Sequence, residues 1–440
     1  MSSVRDAGKK PGLGKGTLGA FVGTAIEWYD FFIFGTAAAL VFSRVFYPDI
    51  APGAGLLASF ATFWVGFLAR PLGGIVFGHF GDKFGRKNVL VVTLLLMGIA
   101  TTLIGALPSY AQIGIAAPIL LVLLRALQGF AVGGEWGGAV LLATEGADAQ
   151  KKGLAGTWVQ QGSPAGAILA AVIFLIVGNL PDAQFFSWGW RIPFLLSAVL
   201  VIVALLIRMR VQESEEFVAT KATRQVVKVP LIRVFATAPR ALVFGILASI
   251  LGISVAYFTN TFLLAWTTGT LEMDRQTIQL ILLVGSIFQF IWQPIAALIA
   301  ERVGAPAVMI ASLALTLLLV VPFFLAIMSQ NYVFLAVMAV LNTCAGAGYY
   351  GLLANALAEA FDVNVRYTGV SAAYQICATI IGGSTPLIAQ SLLTGVGPWA
   401  VAIYYAALVL LTVLGVLGLR RVSLRRSATT TAAPLPTTAD

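Results

Sequence analysis

The feature that most constrains this chain is a series of apolar runs, each about one membrane crossing long, that follow one another almost without interruption. A hydrocarbon core about 30 Å thick takes about 20 apolar residues of helix to cross. Stretches such as Val89 to Ala106 and Ala307 to Met328 are of that length and apolar on nearly every face. Strands of a membrane barrel would alternate over about 10 residues, so these runs are helices. With 59% hydrophobic and 10% charged residues, against roughly 25% charged in soluble domains, a water-soluble fold is excluded.

Polar breaks, Gly/Pro clusters and charges divide the runs. Spans are predicted near 17–46, 54–78, 88–107, 112–143, 153–179 and 190–208, then near 239–268, 276–300, 305–328, 332–360, 368–395 and 398–419. The expected fold class is an all-α membrane protein: twelve transmembrane helices in two six-helix bundles, 17–208 and 239–419. An N-terminal tail (1–16), a basic linker (209–238) and a C-terminal tail (420–440), rich in Ser, Thr, Ala and Pro after Arg426 and read as disordered, complete the chain. Arg5, Lys9, Lys10 and Lys15 precede a first run too long for a signal-peptide core and without a small-residue cleavage site, so it is read as a retained helix. A weak internal repeat supports the two bundles: Gly81-Asp82-Lys83-Phe84-Gly85-Arg86-Lys87 is echoed almost half a chain later by Ala300-Glu301-Arg302-Val303-Gly304-Ala305-Pro306.

Basic residues in short loops mark the cytoplasmic face. With the N-terminus inside, Lys83, Arg86, Lys87, Lys151, Lys152, Arg302 and Arg366 fall inside too, and only Arg44, Arg191 and Arg275 fall outside. The net charge of +9 is therefore a topology signal and not a nucleic-acid one. The expectation is a multi-pass protein of the cytoplasmic membrane, both termini cytoplasmic, in contact with lipids.

Charged side chains inside spans are costly and mark function by default. Glu27 and Asp30, three residues apart in the first span, share a helical face. Two such carboxylates in a partly dry cavity disfavour joint ionisation, which makes one of them a proton-binding site; alternatively Glu27 pairs with a basic residue of another helix. The fourth span carries Arg125, Gln128 and Glu135 in a stripe whose glycines admit another backbone closely. Arg125 either binds a substrate carboxylate through its planar fork or pairs with Glu27, Asp30 or Glu135 and releases that acid on protonation. Tyr29, Gln160, Gln161, Tyr257, Asn260, Tyr349 and Tyr374 are further candidates for binding a hydroxylated or carboxylated solute, or else are hydrogen bonds between helices. Tyr350, Gln289, Gln293 and Gln375 are of the same kind.

No Gly-x-x-x-x-Gly-Lys-Ser/Thr phosphate loop is present, which argues against drive by ATP. One histidine, His79, and two cysteines within apolar runs, Cys344 and Cys377, supply neither a metal centre nor a thiol–imidazole pair. No metal, cofactor or enzyme activity is expected.

Gly78-His79-Phe80-Gly81-Asp82-Lys83-Phe84-Gly85-Arg86-Lys87 resembles the signature loop between helices two and three of the major facilitator superfamily. Within that superfamily, Glu27-Trp28-Tyr29-Asp30-Phe31, the segment Arg125 to Gly138, Trp188-Gly189-Trp190-Arg191-Ile192-Pro193-Phe194 and Glu213-Ser214-Glu215-Glu216-Phe217 are similar to the metabolite:proton symporters. Their members take up shikimate, 2-oxoglutarate, citrate, proline and betaine. Ala38 to Phe42, Ala117 to Val122 and Gly382 to Ala389 are similar to the family's shikimate carriers. The resemblance implies a monomeric, proton-coupled transporter that imports a small organic acid by alternating access, shikimate or a similar hydroxy- or aromatic monocarboxylate. An osmolyte (proline, betaine) or dicarboxylate (2-oxoglutarate, citrate) symporter, or an exporter, is the alternative.

In the signature loop Asp82 could meet the N-terminus of the eleventh helix, whose dipole favours an anion, and Arg86 could pair with Glu145. Together these residues form the expected cytoplasmic gate. The second half departs from the family pattern: Ala305 and Pro306 replace the paired basic residues, and Ala360 to Tyr367 lacks the usual Phe-Pro-Thr-Arg.

Overall fold

The computed structural model describes residues 15–84, 86–133, 160–209, 230–362 and 365–431. Twelve helical spans follow one another. The first half comprises α1 (Lys15–Leu40), α2 (Pro52–Phe84), α3 (Arg86–Ala106), α4 (Ala116–Gly133), α5 (Gly162–Gly178) and α6 (Ile192–Met209). The second comprises α7 (Pro239–Tyr257), α8 (Arg275–Val303), α9 (Ala305–Met328), α10 (Tyr332–Ala360), α11 (Arg366–Cys377, resuming at Thr385–Gly395) and α12 (Pro398–Thr431). Ten spans are long and apolar enough on their own to cross a bilayer. In α1 the acids Glu27 and Asp30 dilute the apolar character, and the described part of α5 is 17 residues long.

Local chemistry sets the boundaries. Asp274 caps α8, accepting from the Thr277 hydroxyl at 2.6 Å and the Thr277 N–H at 2.7 Å. Those two bonds, the hydroxyl first, hold its carboxyl below the ordinary range. Asn331 caps α10 in the same way through Phe334 N–H at 3.0 Å. Gly304 (φ 91°) and Gly397 (φ 118°) make the abrupt α8–α9 and α11–α12 reversals, a backbone region that favours glycine. α2, α8 and α9 each run on through an internal proline, Pro71, Pro294 and Pro322.

Two spans widen in mid-course. After Tyr257, α7 runs on through π-type turns at Phe258–Leu263 and Trp266–Thr270, and α11 does so at Ala378–Gly382. There the ladder shifts one residue, as in Gly383 N–H to Ala378 O at 3.1 Å and Leu271 N–H to Trp266 O at 3.0 Å. Such turns re-aim side chains and commonly sit at functional positions.

In the first half α2 packs on α4, α1 on α5 and α3 on α6; in the second α7 packs on α12, α8 on α10, and α9 on α10 and α12. The halves meet where α5 lies along α8, α1 against the wide turn after α7, and α2 against α11. Leu123, Ile176, Leu318 and Ile403 stand exposed on the outer flanks, as lipid-facing residues do.

Two boundaries differ from expectation. The last span runs past its expected end at 419: α12 continues to Thr431. Arg426 holds it, bonded to the carbonyls of Glu359 and Phe361 and paired with Asp362 at 2.9 Å, a cation placed on the orphan carbonyls ending α10. The linker ends in a helix, Pro230–Thr237, which buries Val234 and packs on α11.

Candidate functional site

Among the described residues, Asp30 and Arg125 share one buried site, while Glu27 lies on the cavity between the halves. Asp30 is fully buried inside the first half, where it accepts from Thr101 Oγ1 of α3 at 2.9 Å and Ser197 Oγ of α6 at 2.6 Å. Gln128 Nε2 donates to the same Thr101 oxygen at 2.9 Å, and Arg125 Nη1 donates to Gln128 Oε1 at 2.5 Å. A continuous chain thus runs from Asp30 through Thr101 and Gln128 to Arg125. Arg125 itself is fully buried, its Nε bonded to Phe63 O at 3.3 Å and its guanidinium over the rings of Phe34 (4.1 Å), Phe31 (4.4 Å) and Phe63 (4.8 Å). Aromatic faces are the surroundings that best tolerate a buried guanidinium.

Glu27 stands on the seam between the halves. It lines a small cavity with Trp28 and Phe31 of α1, Arg70 of α2, Tyr257 of α7 and Tyr374 of α11. Trp28 stacks on Tyr257 across the seam, ring centroids 5.9 Å apart and 22° between planes. The Tyr374 hydroxyl is 3.0 Å from that of Tyr350, and Gln160, just ahead of α5, stands beside Tyr350. A second cavity, lined by Ser163, Asn260, Ser286, Gln289, Thr343 and Tyr350 among others, and a third, lined by Thr36, Asn260 and Gln279 among others, continue the seam. Their volumes, about 10, 30 and 20 Å³, hold one or two waters each, since one water takes about 10–15 Å³. A pocket for a small solute takes about 300 Å³ or more, so none of these three cavities among the described residues admits a solute.

Of the remaining candidates, Gln161 donates to Phe290 O of α8 at 2.8 Å, another tie across the seam. Tyr29 and Tyr349 do not line these cavities: Tyr29 donates to Pro193 O at 2.6 Å and Tyr349 to Ala248 O, each within its own half. Asp82 falls in the last turn of α2 and Arg86 opens α3; their side chains, with all of Glu135 and Glu145, lie outside the described residues.

Tertiary structure adds four residues that had no assigned role. Thr101 and Ser197 complete the Asp30 site; they are 71 and 167 positions from it, beyond any local pattern. Arg70, a cation inside a span, carried a usable signal but no partner to interpret it. Arg275 lies at the face opposite the two chain ends, where its Nη2 reaches Gly178 O at 3.1 Å and Asp182 Oδ1 at 3.4 Å, its guanidinium 4.2 Å from the Phe185 ring. This latch closes α5 on α8. Asp182 is mostly exposed, so the pair stabilises closure modestly. Arg275→Gln is expected to raise the labelling rate of a cysteine at Thr36, added from that face in a background lacking Cys344 and Cys377, by about two- to fivefold. An unchanged rate would remove the latch from the account.

A further tie across the seam is Trp64 Nε1, which donates to Thr379 O at 2.8 Å in the wide turn of α11, while Thr379 Oγ1 donates back to Phe67 O at 3.2 Å.

Residues 16–231 match the family described as "Sugar (and other) transporter", and residues 242–439 the family described as "Major Facilitator Superfamily". The shikimate transporter of Escherichia coli K12 is 42% identical over 89% of this chain and 91% of its own length. The proline/betaine transporter of Salmonella typhimurium is 34% identical over 95% of this chain and 83% of its own length. Among solved structures, the D-xylose-proton symporter superposes over 92% of this chain and 96% of its own with a TM-score of 0.73; at 17% identity this likeness concerns the fold.

Proposed function

The chain belongs to the major facilitator superfamily, and from that premise we propose that it imports a small organic acid together with protons by alternating access. The substrate is shikimate or a similar hydroxylated or aromatic monocarboxylate, the reading supported by the shikimate transporter relative. Both termini are cytoplasmic, the basic loops lie on that side, and Asp82, Arg86 and Glu145 form the gate there.

The observation that carries the proposal is the surroundings of Asp30. A carboxyl buried in the first span, with two hydroxyls on it and a chain of hydrogen bonds to a buried arginine, is equipped to exist in two protonation states. Thr101 Oγ1 has one proton and two acceptors, Asp30 Oδ2 and Met97 O, each at 2.9 Å. With Asp30 charged, that proton serves the carboxylate. With Asp30 protonated, it turns to Met97 O and leaves no acceptor stranded. Protonation also removes the negative end of the chain that leads to Arg125, so the bonds that tie α1 to α3 and α6 become sensitive to proton binding. Glu27, one turn earlier and on the seam, is the second coupling acid, and Glu135 of the fourth span the third.

One proton moving with one monoanion is electroneutral and draws on the pH gradient alone, about tenfold accumulation per pH unit. A second proton would add the membrane potential, about 2.3 kcal/mol per 100 mV.

The proposal is tested by uptake of labelled shikimate into proteoliposomes with and without an inward proton gradient, competed by protocatechuate, citrate, 2-oxoglutarate, proline and betaine. Gradient-driven accumulation blocked by hydroxylated ring acids alone is the expected result. Transport of a different solute would keep the symport and change the substrate; transport indifferent to the proton gradient would end the coupling claim. The second reading, a proline or betaine symporter, is favoured by the 34% identical relatives, and in the same assay it predicts competition by proline and betaine.

A further inference from the structure

The structure offers a solute at the seam a different cation from the one sequence reasoning singled out. Arg125 is sealed within the first half, its guanidinium bonded to Phe63 O and Gln128. Arg70, 6% exposed, forms part of the wall of the cavity where α1 and α2 face α7 and α11. Its guanidinium carbon lies 4.3 Å from the centre of the Phe31 ring and 4.5 Å from that of Phe67, and its buried Nε has no hydrogen-bond partner among the described residues. A guanidinium stacked on two rings is held in orientation without using up its donors. A buried donor without an acceptor is costly, and a planar carboxylate is the complement that fits the fork.

The same wall presents the Tyr257 ring and the hydroxyl of Tyr374, paired with that of Tyr350. Phenols both donate and accept hydrogen bonds, a chemistry that suits a hydroxylated solute. Among the described residues, Glu27 is the other charged residue that lines this cavity. One cation and one acid suit a solute with a single carboxylate, because a second would meet Glu27 as a like charge.

Resting on the proposed organic-acid symport, we propose that Arg70 is the residue that binds the solute's carboxylate, and that with Glu27 lining the same cavity it sets a preference for monocarboxylates.

The test is equilibrium binding of shikimate and of its uncharged methyl ester to purified full-length protein and its variants. Wild type is expected to bind the acid roughly 10- to 100-fold more tightly than the ester, the range for a hydrogen bond to a charged group. Arg70→Gln is expected to erase that difference while leaving ester affinity within about twofold, which also reports that the variant is folded. Arg70→Lys, which keeps the charge but not the fork, is expected to recover part of the preference. Glu27→Gln is expected to admit 2-oxoglutarate as a competitor. An Arg70→Gln protein that still prefers acid to ester overturns this inference and leaves the symport standing. A wild type that binds no monocarboxylate overturns both.

Discussion

Asp30→Asn is expected to abolish proton-driven accumulation while leaving the exchange of labelled for unlabelled solute intact. The substitution changes little in shape, and the surrounding groups can satisfy it. Oδ1 keeps the bond from Ser197 Oγ, now 2.6 Å, and the amide donates to Thr101 Oγ1, whose own proton turns to Met97 O. That oxygen also accepts from Gln128, within its two lone pairs. The variant therefore folds, yet residue 30 no longer titrates. If it is the coupling group, the accumulation ratio falls from about tenfold per pH unit to one, whereas exchange, which needs no net proton movement, persists. The measurement is steady-state accumulation at several imposed pH gradients beside counterflow in the same liposomes. Undiminished accumulation would move the proton to Glu27 or Glu135. Loss of both activities would make Asp30 a structural group.

The sequence carried the twelve spans because each is set locally, by run length and by breaks such as Gly304, Gly397 and the capping Asp274. It did not carry which side of each helix faces the seam. Glu27 and Asp30 are three residues apart, a spacing that puts them on one face, but three residues of helix still leave about 60° between them. In a bundle this is enough to put Asp30 against Thr101 and Ser197 and Glu27 on the cavity with Arg70. Tyr349 and Tyr350 make the same point at adjacent positions about 100° apart: one hydroxyl bonds Ala248 O in its own half, and the other meets Tyr374 at the cavity. The sequence stopped the last span at 419 for a related reason. The tail's composition suggests a free end, but the carbonyls that hold Arg426 come from Glu359 and Phe361, 67 and 65 positions away.

Gly129→Val is expected to give the largest loss of stability, and the glycines of α2 and α4 give the reason. A Cβ on Gly129 would fall on the Gly66 carbonyl, one on Gly133 on the Arg70 carbonyl, and one on Gly73 on the Phe130 carbonyl. At each point the obstacle is backbone, which cannot rotate aside as a side chain can, so α2 and α4 must separate. In a bilayer such close approach is itself the driving force for association, because lipid supplies no hydrophobic term between helices. Overpacking a tight contact costs about 1–3 kcal/mol or more, so a fall of about 2–12 °C in thermal unfolding is expected for a half of this size. Gly66→Ala makes a useful contrast, because the atom its Cβ meets is Arg125 Nε at 2.5 Å. That side chain can yield, but only by leaving Phe63 O and the rings that hold it. Gly66→Ala should therefore lose transport with a smaller fall in unfolding temperature, and Gly129→Val should lose both in proportion. Unfolding curves in detergent, read beside uptake for the two variants, separate the outcomes; an unchanged melting temperature for Gly129→Val would mean that α2 and α4 are not packed backbone to backbone and that the placement of Arg125 has another cause.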